Sequence, residues 1–168
     1  MDDTEAVLRL GGMTLAHAAW SIEDGSTLCT LAVVEVDGER ELVRYEADTI
    51  DESQAGAHAD LRDRLRGAGI AAFVYDGYIT PQGGQRTDAL IMELLGPDTR
   101  ALGMVVQPYQ PGRRSRLPFL GRPTGFRIIG TPIISDAVAI PDPEKLVFEG
   151  TQDHPKAAHF FLDAQDEQ

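Results

Sequence analysis

Residues 70–111 read IAAFVYDGYITPQGGQRTDALIMELLGPDTRALGMVVQPYQP, and this stretch decides the fold class. Ile70 to Thr80 is apolar as far as Tyr75 and turns polar at Asp76. Pro81-Gln82-Gly83-Gly84 is turn chemistry, Thr87 to Leu95 is a second apolar run, Gly96-Pro97-Asp98 turns the chain again, and Ala101 to Gln107 is a third run. Strands joined by turns this short pair antiparallel with their neighbours.

Upstream, Thr27 to Val36 (TLCTLAVVEV) is β-branched and apolar, the pattern of a central strand. Asp37-Gly38 is a two-residue hairpin signal, and Glu39 to Ala47 returns as its partner. A helix is expected over 51–66, capped by Thr49 or Asp51, with Ala57, Leu61, Leu65 and Ala68 as its apolar stripe. Residues 4–22 are helical in pattern, but Gly11-Gly12 is expected to interrupt them, leaving Met13 to Ile22 as the firm helix.

Downstream, residues 108–125 (PYQPGRRSRLPFLGRPTG) carry four prolines and four arginines and no period, the mark of a long connection. Phe126 to Ile129 and Thr131 to Ile140 add one or two strands; Glu144 to Glu149 is a helical turn or a short strand; Ala157 to Leu162 is a short docking helix. The expected architecture is α+β: a mainly antiparallel sheet of about five to seven strands with two helices packed on one face. It occupies residues 1–150, with 151–168 as a polar C-terminal tail. This order of elements is similar to that of small sensor, scaffold and dimerisation modules of the roadblock and profilin-like types, a likeness that implies a fold and not an activity.

With 168 residues, 42% of them hydrophobic, the chain can bury one substantial core. A lone cysteine, Cys29, excludes an internal disulfide or a multi-cysteine metal site. No apolar run reaches bilayer length, and the start Met-Asp-Asp-Thr-Glu is acidic where a signal peptide is basic, so a cytoplasmic location and no membrane association are expected. The net charge of −12 is uneven: −11 over residues 1–60, +5 over 61–127 and −6 over 128–168. Such a field repels nucleic acid, which is therefore not expected as a partner.

Asp76, Tyr78 and Asp88 are the catalytic candidates, because a hairpin between their strands would pair two carboxylates for acid–base work or cation binding. The ordinary account is a bulge at Asp76-Gly77 and a turn hydrogen bond at Asp88, and it weighs more. Glu93 lies among apolar residues, but alternation allows it to point outward. His17, His58, His154 and His159 form no ligand pair at a telling spacing and read as solvated or capping residues. Cys29 reads as a small buried hydrophobe. Neither a Gly-x-Ser-x-Gly elbow nor a phosphate-binding loop occurs.

Arg113, Arg114, Arg116 and Arg122 form the one basic cluster, and with Tyr109 and Phe119 they would grip an anion or anchor an interface. The expectation is a small cytosolic binding or assembly module that self-associates, with no catalysis, cofactor or metal of its own. Its rival is an enzyme or ligand-binding protein for a small anionic molecule, with Arg113, Arg114 or Arg116 acting beside Asp76, Tyr78 or Asp88. A third reading is neutralisation of a basic partner by the acidic residues 35–60.

Overall fold

The computed structural model describes residues 3–113, 125–135 and 138–166. The elements run α1 (Asp3–Ile22), β1 (Leu31–Val36), β2 (Glu39–Arg44), α2 (Ile50–Arg64), β3 (Ile70–Ile79), β4 (Thr87–Leu95), β5 (Ala101–Gln110), β6 (Arg127–Ile128), β7 (Ile133–Ile134), α3 (Pro143–Gln152) and α4 (Ala158–Asp166). They form one seven-stranded sheet in the order β2-β1-β3-β4-β5-β6, with β7 also paired to β5, and every pairing is antiparallel. The class is α+β. Asp37 and Gly38 both take positive φ, the conformation a two-residue hairpin turn demands, and so set the β1–β2 register.

The expected pair of helices on a single face is corrected: there are four helices among the described residues, and they divide between the two faces. β1 and β3 are apolar on both sides, so both sides must be covered. Val33, Ala72, Val74, Leu90, Met92, Leu94 and Val105 pack in one core with residues of α1, α3 and α4. Ala32, Val34, Ala71 and Phe73 face the opposite way and form a second core with Ala57, Leu61 and Leu65 from α2 and its end. Helix α2 starts where its cap dictates: Thr49 Oγ1 accepts from the Glu52 N–H at 3.2 Å.

A second correction concerns Gly11-Gly12. Helix α1 runs through both glycines without a break. They serve packing. A Cβ at Gly11 would fall 2.7 Å from Met92 Cε, on the sheet side. A Cβ at Gly12 would collide with the Val147 carbonyl oxygen and with the backbone of Gly150 and Thr151 on α3. Gly150 answers from the other helix, where a Cβ would collide with the Arg9 carbonyl. Backbone-to-backbone contact between α1 and α3 is thus allowed only by the two glycines, and Arg9 pairs with Glu149 beside the crossing. Residues 144–149, expected as one turn or a short strand, belong to this ten-residue helix. Helix α4 then lays Phe161 and Ala164 onto the first core.

Candidate functional site

The crossing of α3 and α4 over β5 leaves a cavity of about 470 Å³. Its apolar wall comes from Val147 and Phe148 of α3 and from Phe161 and Ala164 of α4. Its polar lining includes Gln107 of β5, with Asp142 and Glu144 at the start of α3. The size suits a small organic ligand, and an apolar cleft with a few polar groups is the usual form of such a site.

Gln107 is the unusual member. Strand alternation puts it on the same side of β5 as Val105 and Tyr109, toward the helices, and it is completely buried. Its Nε2 donates to the carbonyl oxygens of Pro108, Ile129 and Gly130 at 3.1, 3.2 and 3.4 Å. Three surrounding carbonyls fix which end of the amide is nitrogen, because an oxygen there would meet only acceptors. The other end, Oε1, is buried with no hydrogen-bond partner among the described residues. An unsatisfied buried acceptor costs about 1–3 kcal/mol. In the sequence the signal of Gln107 is its spacing of two from Val105 and Tyr109, which places it on their buried face.

The catalytic candidates lie elsewhere, and none of them lines this cavity. The β3–β4 register sets Tyr78 opposite Asp88 and Asp76 opposite Leu90, so the two carboxylates share a sheet face on a diagonal. Tyr109 reaches across from β5 and donates to Asp76 Oδ1 at 2.9 Å. Burial pushes the Asp76 carboxyl above the usual carboxylate range, and the Asp88 charge adds to this while the Tyr109 hydrogen bond opposes it. Burial and the Asp76 charge likewise hold Tyr109 in its phenol form. Tyr78 is 54% exposed, with the Arg86 guanidinium 3.6 Å above its ring. Tyr109 therefore belongs with Asp76 and packs on Phe126; Arg114, Arg116, Phe119 and Arg122 lie outside the described residues.

The other candidates find local partners. Glu93 points into the α2 side of the sheet, where its carboxylate meets His58 Nε2 at 3.0 Å. His17 Nδ1 lies 3.3 Å from His154 Nε2, joining α1 to the α3–α4 connection. The outer nitrogens of this pair both face donors: Arg44 stands 3.3 Å from His17 Nε2, and the Lys156 N–H 3.3 Å from His154 Nδ1. A neutral imidazole carries one N–H, so the two rings cannot accept at both outer positions and still hydrogen-bond each other. Burial holds both histidines below their ordinary range, helped for His17 by His154 and Arg44 and for His154 by Lys156. Burial raises the Cys29 thiol, so it stays protonated, with the nearby Glu46 charge acting in the same direction. Among the described residues no group of three or more His, Cys, Asp or Glu side chains is placed to hold a metal ion, and no helix is long and apolar enough to cross a membrane.

No protein-family model, curated protein or solved structure matches this chain.

Proposed function

We propose that the protein is a binding module for a small organic molecule, with its site in the cleft between β5 and the α3–α4 pair. The observation that supports this best is Gln107 Oε1, a buried acceptor without a partner on the wall of an apolar cavity of ligand size. A group left unsatisfied in this way is a reservoir that a donor on a ligand can draw on. Oε1 itself is inaccessible to solvent, so the reading requires a local side-chain movement that brings a ligand donor to it. The reading assigns binding and no turnover.

The test is amide chemical-shift mapping against a library of neutral and charged aromatic fragments. Binding fragments should shift resonances of α3, α4 and residues 129–132 together. Hits that map consistently to another surface, or a library with none, would refute the reading.

A second reading, self-association, has its own support. Helix α2 covers only part of the second sheet face. Beyond it Met104 and Ile133 are 40% and 55% exposed, and they flank the half-buried Val106. Apolar side chains adjoining in this way on a sheet face suit a second copy of the chain. Native mass spectrometry should then show a dimer that Ile133→Lys dissociates; a monomer throughout would remove this reading.

A further inference from the structure

We infer that the ligand of the α3–α4 cleft is an organic cation: an apolar, preferably aromatic body carrying a protonated amine. The inference rests on the cleft being a ligand site, and it adds the charge and the polarity that the ligand must have.

The cleft brings together one buried unpartnered acceptor and two carboxylates. Gln107 Oε1 is unpartnered and completely buried. Asp142 takes a left-handed conformation before α3 and makes no side-chain capping bond, so its carboxylate is not committed to the helix start. Glu144 follows in the first turn and also lines the cavity. Of the groups that can donate, Lys145 and Thr151 are turned to other partners, while the Thr131 hydroxyl and the Gln165 amide also line the cavity and can each accept as well as donate. Lys145, the one cation of the lining among the described residues, is 70% exposed and lies 4.0 Å from Glu149, which is not part of the lining. The Thr151 hydroxyl donates to the Phe148 carbonyl at 2.6 Å and accepts from Gln152 Nε2 at 2.9 Å.

A ligand that complements this set brings N–H donors and positive charge. The N-terminal dipole of α3 offsets part of the Asp142 and Glu144 charge, about half a unit, and the balance stays negative. The field of the whole molecule acts in the same direction. The chain carries −12, and its last 41 residues, 128–168, which supply both carboxylates, carry −6. Cations are thereby concentrated at the cleft and anions depleted. Phe148 and Phe161 provide aromatic surface for the body of the ligand and π faces for its charge.

Three probes that share one ring system separate the terms: tryptamine as the cation, indole as the neutral donor and indolepropionate as the anion. Their affinities for the full chain are measured by calorimetry at low and physiological salt, with amide shifts locating the site. The expected order is tryptamine, then indole, then indolepropionate, with about tenfold between the cation and the anion at low salt. The double variant Asp142→Asn/Glu144→Gln should abolish the preference for tryptamine and leave indole unchanged. Equal affinities, or tighter indolepropionate, with shifts still in the cleft would overturn the cation inference and leave the cleft as a ligand site. Failure of all three probes to shift the cleft would overturn both.

Discussion

Replacing Gly12 with alanine should destabilise the protein, against the helix propensity of the change. In a helix interior this substitution ordinarily gains about 0.5–1 kcal/mol. At Gly12 the new methyl meets the Val147 carbonyl and lies 2.8 Å from Gly150 Cα and from Thr151 N. These are backbone atoms, so no rotamer change relieves the contact, and α3 must move away from α1. Overpacking of this kind costs about 1–3 kcal/mol, occasionally more. Separation of the helices also exposes part of Val147, which is 1% exposed. The expected net effect is a loss of about 2 kcal/mol, or about 4–8 °C in Tm for a chain of this size. Gly56 of α2 is the matched control, since a Cβ there meets nothing within 4 Å. Gly56→Ala should therefore stabilise by about 0.5–1 kcal/mol. Urea unfolding of both variants decides the matter. A Gly12→Ala protein as stable as the parent would show that the α1–α3 contact is looser than described, and the cleft wall with it.

Further outcomes follow from the same geometry. His17 and His154 have folded-state pKa values below their unfolded ones, so folding stability is intact above about pH 6.5 and is lost as pH falls through the lower, folded values. His154→Gln should flatten that part of a stability–pH curve, and an unchanged slope would contradict the pairing. Asp76 runs the other way: its raised folded value means a contribution fully present below about pH 4 and lost as pH rises through the folded pKa. Tyr109→Phe removes a hydrogen bond that lowers this value, so the Asp76 carboxyl should titrate still higher by NMR, with stability at neutral pH reduced by about 1.5–3 kcal/mol. Thr49→Ala should cost about 1 kcal/mol through the lost cap of α2, read as a shift in urea midpoint with unchanged slope.

The parts legible in the sequence are those set by local chemistry. The turns at 81–84 and 96–98 define β3, β4 and β5, and β5 extends to Gln110, into the stretch expected to be loop. The Thr49 cap and the Asp37-Gly38 turn act within a few residues and were equally readable. What escaped depends on contacts between distant segments. Gly11-Gly12 looks like an interruption until Gly150, far along the chain, is seen to meet it. Leu146, Val147 and Phe148 are consecutive and show no helical period, because both the α1 crossing and the cleft make use of that helix. Asp76 and Asp88 do share a face as their hairpin implied, yet the group that binds Asp76 is Tyr109, assigned from sequence to the arginine cluster. The His17–His154 contact spans 137 positions and has no local signature.

The most direct test of the account compares tryptamine binding to the parent chain and to Ala164→Phe, which adds a ring at a buried position of the cleft wall. Amide shift mapping at saturating probe is the measurement. The account predicts concerted shifts in α3, α4 and residues 129–132 of the parent, and their loss in a variant whose spectrum remains that of the folded protein. The same shifts in both proteins would mean that the probe does not occupy the space the new ring fills, and that the cavity behind Gln107 is not the site.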